Sequence, residues 1–274
     1  MRFAVISDVN GNLTALRAVL AAIDGQDAAV DRIVCAGDIV GRGPSPNEVI
    51  DLLRERDIEV VLGNYDDAVA FDRLGSGRDF ADRAAEDADA AAIEWTRAQL
   101  TAQNLEYLRG LPRDLRLFPG GTGTSVKRNE QDARSSEYRR TFFLRAILGG
   151  AVRTPVSPYK RVLVVHGSTR ALNEFVRGDT AHSILGSLAR EAQTDVLITG
   201  HAASSFRRDA HNVAFIGVGP VDGPGRAEYA LMDVSREVNV AFEQVPFDVP
   251  AHIKALRESG LPERIIDDAA HVVG

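Results

Sequence analysis

Five apolar runs in this chain end on, or run straight into, a side chain able to hold a divalent cation. They are Phe3 to Ile6 before Asp8 and Asn10, Ile33 to Ala36 before Asp38, Val60 to Leu62 before Asn64, Val162 to Val165 before His166, and Val196 to Thr199 before His201. Polar residues at the carboxyl ends of successive buried strands converge on one crevice. Carboxylate, amide oxygen and imidazole are hard or borderline donors that suit Mn²⁺, Fe²⁺ or Zn²⁺. Singly, Asp8 and Asp38 could cap the helices that follow them, and His166 could be a buried hydrogen-bonded histidine. Together in one crevice they point to a metal-dependent hydrolase.

The elements that would position these residues follow from periodicity. Residues 2–8, 32–37 and 58–62 read as buried strands. Leu13, Leu16, Val19, Leu20 and Ile23 recur at helical spacing between the first two, and Pro46-Asn47-Glu48 opens a second helix carrying Val49, Ile50, Leu52 and Leu53. This βαβαβ order implies parallel strands with right-handed crossovers. Residues 78–110 are Ala-rich and charged, and predict a helical insert of two helices broken near Thr101, with Trp95 as a packing anchor. Further strands are expected at 161–166, 195–199, 213–217, 227–234 and 237–243, with helices near 180–192 and 250–258 and then a tail.

The stretch 113–160 carries no clear periodicity. Its Pro119 to Thr124 reads as a glycine-rich loop that lacks the Gly-Lys-Ser/Thr ending of a P-loop. Its Lys127 to Arg145 run reads as a solvated face, with a basic lid over an anionic substrate as the alternative. The whole chain, 1–274, is read as one domain.

Composition sets outer limits. The chain has 274 residues, 45% hydrophobic and 26% charged, enough to bury a core without disulfide or metal staples. A net charge of −7 argues against a broad nucleic-acid surface, and no basic stripe with aromatics is present. No run approaches the length of a membrane span. The lone Cys35 lies in an apolar run, as a buried thiol would in a reducing compartment. Met1-Arg2-Phe3 leads directly into the first strand, so a cytoplasmic protein is expected. Oligomeric state is not legible.

The segments Asp8-Val9-Asn10-Gly11-Asn12, Gly37-Asp38-Ile39-Val40-Gly41-Arg42-Gly43, Gly63-Asn64-Tyr65-Asp66, His166-Gly167 and Gly200-His201-Ala202-Ala203 fall in the order and register of five motifs. In these motifs the chain resembles the calcineurin-like metallophosphoesterases, in particular their small bacterial phosphodiesterase and phosphatase branch. The likeness covers residues 2–70 and 161–235, including a glycine-rich Gly217 to Pro220 loop. It implies an α/β fold, a four-layer αββα sandwich with two metals between the sheets. One metal would take Asp38, Asn64, His166 and His201. The other would take Asp8, position 10, Asp38 and position 203.

Three positions depart from that pattern: Asn10, Tyr65 and Ala203 each stand where the family has histidine. The losses at 10 and 203 fall on one metal, so a tight site is expected at Asp38, Asn64, His166 and His201. The Asp8 site, with the Asn10 amide, is expected to be weak or empty. The resemblance implies Mn²⁺, with Fe, Zn or Mg as alternatives. It implies a phosphoesterase acting on phosphodiesters or small phosphomonoesters through metal-activated water, or else a catalytically impaired homologue that binds one metal and a phosphorylated ligand or protein partner. Catalytic roles are expected of Asp38, Asn64, Tyr65 and Arg42, and substrate contact of Arg42 and Asn12. Asn12 is equally placed to cap a helix. Tyr65, a poor acid at neutral pH, predicts better activity on aryl than on alkyl esters. Asp66 reads as a turn or cap carboxylate, and His211 as exposed.

Overall fold

The computed structural model describes residues 1–118, 124–126 and 160–271. The glycine-rich loop before Thr124 and the charged run after Val126 lie outside the described residues. Along the first half come β1 (Arg2–Ile6), α1 (Leu13–Asp24), β2 (Arg32–Cys35), α2 (Pro46–Glu55), β3 (Glu59–Val60) and α3 (Asn64–Phe71). Then follow α4 (Arg83–Gln99), α5 (Ala102–Arg109), β4 (Asp114–Leu117) and β5 (Thr124–Val126). The second half holds β6 (Val162–Val165), α6 (His182–Ala192), β7 (Val196–Thr199), β8 (Phe206–Ala210), β9 (Val213–Gly217), β10 (Arg226–Val234) and β11 (Val238–Pro246). It closes with α7 (Val249–Ser259) and α8 (Glu263–His271).

Two mixed sheets form, ordered β11-β10-β1-β2-β3 and β5-β4-β6-β7-β9-β8. The β1–β2, β2–β3, β6–β7 and β7–β9 pairs are parallel, as the βαβ reading requires. Strand alternation divides the side chains between separate cores. Phe3 and Val5 of β1, Val162 and Val164 of β6, and Ala230, Met232 and Val234 of β10 meet between the sheets. Their neighbours Ala4 and Ile6, with Tyr229 and Leu231, turn outward onto the helices of the first sheet. Leu163, Val165, Leu197 and Phe215 turn outward under Leu185 and Leu188 of α6. Helix, sheet, sheet, helix is therefore the layer order. Both faces of each inner strand are apolar, so these strands read as continuous hydrophobic runs.

The helical insert breaks where expected. Thr101 caps α5 by accepting from the Asn104 N–H, and both helices pack on the first-sheet layer against α2 and α3. Trp95 packs beside Ala88 and Ala92 on a small core shared with Leu256, Leu261 and Ile265. The expected C-terminal tail is in fact α8. Its Ile265, Ile266 and Ala269 share the face that packs on this core, a period too short to stand out beside the acidic Glu263, Asp267 and Asp268. Four further elements absent from the sequence reading, α3, β4, β5 and β8, are short, of eight, four, three and five residues. Among the described residues no helix is long and apolar enough to cross a membrane.

Candidate metal centre

Asp8 and Asp38 follow β1 and β2, Asn64 opens α3, and His166 and His201 follow β6 and β7, so both sheets deliver side chains to one end of the sandwich. Asp8, Asn10, Asp38 and His201 all have positive φ, between 48° and 53°. That conformation costs non-glycine residues on the order of 1–3 kcal/mol and concentrates at functional sites. Here it turns the chain sharply as each strand ends. The backbones must also come close together. A Cβ on Gly63 would lie 2.0 Å from Asp38 Oδ1, and one on Gly200 would lie 2.1 Å from Ser7 Oγ. Glycine is required at both motif positions for that reason.

One potential ligand atom from each of Asp8, Asp38, His166 and His201 lies within 4.8 Å of the others, and all four residues are buried. Asp8 thus lies in one cluster with the two histidines. His166 Nδ1–H donates to Ala36 O at 2.7 Å. Its Nε2 then faces Asn64 Oδ1 at 2.9 Å and Asp38 Oδ2 at 3.3 Å. Asn64 is oriented by its amide, which donates to Ser76 O at 3.0 Å. An imidazole nitrogen aimed at two acceptor oxygens needs either a proton or a cation between them. The proton is held firmly: burial works against the charge, but Asp38 and Asp8 overcome it and raise His166 to about 9.

His166 in turn holds Asp38 below the usual carboxylate range against its burial. Burial, with Asp38 adding to it, lifts Asp8 to about 6. Asp38 Oδ1 accepts the Tyr65 N–H at 2.8 Å, and Asp8 Oδ2 accepts from Ser7 Oγ at 2.5 Å and the His201 N–H at 3.1 Å. Among the described residues, the buried His201 Nε2 and Asn10 Oδ1 find no hydrogen-bond partner. Stranded buried acceptors of this kind are rare and costly. Two lone pairs without partners, beside an imidazole facing two oxygens, fit a divalent cation. Asp8, Asp38, His166 and His201 would hold it, with Asn64 and Asn10 supplying amide oxygens.

The remaining motif residues are committed elsewhere. Asn12 caps α1, accepting from the Ala15 N–H at 3.0 Å, while its amide donates to Asp222 Oδ1 at 2.7 Å. Arg42 pairs with Asp268 of α8 at 3.2 Å. The Tyr65 hydroxyl is buried against Asp89, and burial together with Asp89 pushes its pKa up to about 12. Asp66 is a cap as expected: its carboxylate accepts from the N–H groups of Gly63, Ile39 and Val40, tying α3 to the Asp38 loop. Ala203 brings no ligand. Cys35 is buried, and His211 is exposed, its ring tilted against His182 with centroids 4.1 Å apart.

Sequence reading missed Arg78, Phe175, Arg177 and Asp222. Phe175 stacks on His201 with centroids 4.0 Å apart, and Arg177 lies over Phe175 at 4.7 Å. Asp222 donates its N–H to Asp8 O at 3.0 Å and sits 3.7 Å from His252. Its place just after the Gly217 to Pro220 loop was the available signal.

Two mixed sheets between helix layers, with an Asp/His cluster at their converging ends, define an α/β metallohydrolase-like architecture. The chain belongs to the calcineurin-like phosphoesterase family, whose sequence model matches residues 1–213. That family is metal-dependent, in keeping with the cluster. A metallophosphoesterase from Sphaerobacter thermophilus superposes over 100% of both chains with a TM-score of 0.66 and 27% identity. A hypothetical protein from Pyrococcus horikoshii superposes over 98% of this chain and 97% of its own with a TM-score of 0.72 at 20% identity, a likeness of fold alone. An uncharacterized protein of Methanocaldococcus jannaschii is 40% identical over 110 residues, which span 40% of this chain and 41% of that protein.

Proposed function

We propose that the protein is a metal-dependent phosphoesterase acting on phosphodiesters or small phosphomonoesters in the cytoplasm. The observation that carries this reading is the convergence of Asp8, Asp38, His166 and His201 within 4.8 Å, with a histidine nitrogen left without a partner. A bound divalent cation, with Mn²⁺ the expected ion, supplies Lewis acidity toward a phosphoryl oxygen and lowers the pKa of water.

The chain's own residues do the positioning. Asp38 is held by the Tyr65 N–H and His166, and His166 by the Ala36 carbonyl, so neither ligand rotates freely. Burial excludes bulk water from the cluster, which strengthens its electrostatics toward a phosphoryl group. Tyr65, locked on Asp89, is a poor proton donor at neutral pH, so departure of the leaving group depends on its own acidity. Aryl esters should therefore outpace alkyl esters. One tightly held cation is expected, because Ala203 offers no ligand.

The test is hydrolysis of bis-p-nitrophenyl phosphate and p-nitrophenyl phosphate with added Mn²⁺, beside Asp38→Asn. Metal-dependent turnover that the variant loses supports the reading. The absence of a histidine at 65 and 203 favours a second reading, an impaired homologue that binds one metal and a phosphorylated ligand or protein partner. Cation binding without turnover of either ester would select it.

A further inference from the structure

Among the described residues, two guanidinium groups beside the cluster have no carboxylate at ion-pair distance. Arg78, half-buried in the turn between α3 and α4, has one polar contact, from Nη1 to the Tyr65 hydroxyl at 3.3 Å, and lies 6.0 Å from the Tyr65 ring centroid. Arg177 is exposed and rests on Phe175, whose other face stacks on His201. Both guanidinium groups lie close enough to His201 to act on it electrostatically. The chain has 39 acidic against 32 basic residues, so carboxylates are plentiful. A half-buried, unpaired guanidinium is costly unless an anion arrives to meet it.

The two arginines are also mechanically joined. Asn173 donates to Gly77 O at 2.6 Å, linking the segment that carries Arg177 to the one that carries Arg78. Ser76, two residues before Arg78, accepts from Asn64 and donates to Asp89. Asp89 in turn holds the Tyr65 hydroxyl. Tyr65, which replaces the family's histidine, is therefore a positioning residue for Arg78.

We propose that Arg78 and Arg177 form an anion-receiving subsite on the His201 flank that selects a phosphomonoester dianion over a phosphodiester monoanion. The proposal rests on the phosphoesterase reading and narrows its substrate class. The charge count favours it. Asp8 and Asp38 offset a divalent cation, and Asp89 acts on Arg78 across the Tyr65 hydroxyl, so an arriving anion meets the two guanidinium groups with Arg78 partly offset and Arg177 not. They match a phosphomonoester, which is a dianion above its second pKa near ~6. Paired guanidinium contacts suit phosphate oxygens.

The test uses the Mn²⁺-loaded full chain and compares wild type with R78A, R177A and Y65F. Each arginine variant should lose about tenfold in kcat/KM on p-nitrophenyl phosphate and no more than about threefold on bis-p-nitrophenyl phosphate. Calorimetry should show inorganic phosphate bound about tenfold more weakly, with bound manganese unchanged. Y65F should shift the ester ratio in the same direction through KM, by about threefold, assayed well below its melting temperature, which the loss of the Asp89 contact lowers. Equal losses on both esters, or an unchanged phosphate affinity, would overturn the subsite. If wild type hydrolyses neither ester, the phosphoesterase reading fails and the phosphate titration alone decides: weakened binding in the variants supports the subsite, unchanged or absent binding overturns it. Should R78A not fold, R177A, whose side chain is exposed, carries the test.

Discussion

The two flanks of the Asp/His cluster treat charge differently. On the Asp8 flank, Asn12 is shared between the α1 N-terminus and Asp222, and Arg42 is paired with Asp268. Among the described residues, the Asn10 amide oxygen is left without a partner there. On the His201 flank, among the described residues, Nε2 of His201 has no hydrogen-bond partner and neither Arg78 nor Arg177 has a carboxylate at ion-pair distance, although Asp89 acts on Arg78 across the Tyr65 hydroxyl. An arginine already neutralised by a neighbour gains little from a phosphate, because the ion pair must break first. An unpaired one gains the full interaction. Sequence proximity to Asp38 marks Arg42 as the phosphate contact; the pairing pattern marks Arg78 and Arg177.

The largest expected effect lies at the cluster that both flanks share. Asp38→Asn removes the charge opposite His166, and manganese affinity should fall by more than about 100-fold, beyond what changing a residue that only orients a ligand causes. Metal analysis after dialysis checks it. Retention of stoichiometric metal would detach the cluster from cation binding altogether.

A comparison of R78A with R42A addresses the flanks directly. R78A should weaken inorganic phosphate binding about tenfold, and R42A less than about threefold, because Asp268 already holds the Arg42 charge. The reverse order in calorimetry would move the anion site to the Asp8 flank.

The His201 flank also depends on its stack. Phe175→Ala frees the His201 ring, and manganese affinity should drop about tenfold by titration, in the range of outer-shell partners. No loss would mean that β7 and the positive φ of His201 alone aim the ring.

A smaller effect concerns pH. His166 is raised to about 9 from an ordinary value of 6.5. Its charged form therefore stabilises the metal-free fold, fully below about pH 6.5, and that contribution is lost as pH rises through 9. Chelated protein should lose a few degrees of melting temperature between pH 7 and 9.5, while His166→Gln should show a flatter profile. In the same window manganese affinity should rise, since the cation needs the neutral imidazole.

Much of the fold was readable because inner strands with two apolar faces leave uninterrupted hydrophobic runs such as Val162 to Val165. The helix break at Thr101 was equally open, since capping is local chemistry. By contrast, α8 was hidden. Its apolar residues are few, and only the presence of α4 beneath Ile265 gives them a core to join. The primary sequence by itself determined the five ligand-bearing strand ends, the glycines that let them approach, and the loss of histidine at 10, 65 and 203. Which charges are spent and which remain free was decided only in three dimensions. Asp268, Asp89 and Asn173 stand 226, 24 and 96 positions from the residues they engage. Ion pairing acts over a few ångströms of space, and separation along the chain carries no record of it.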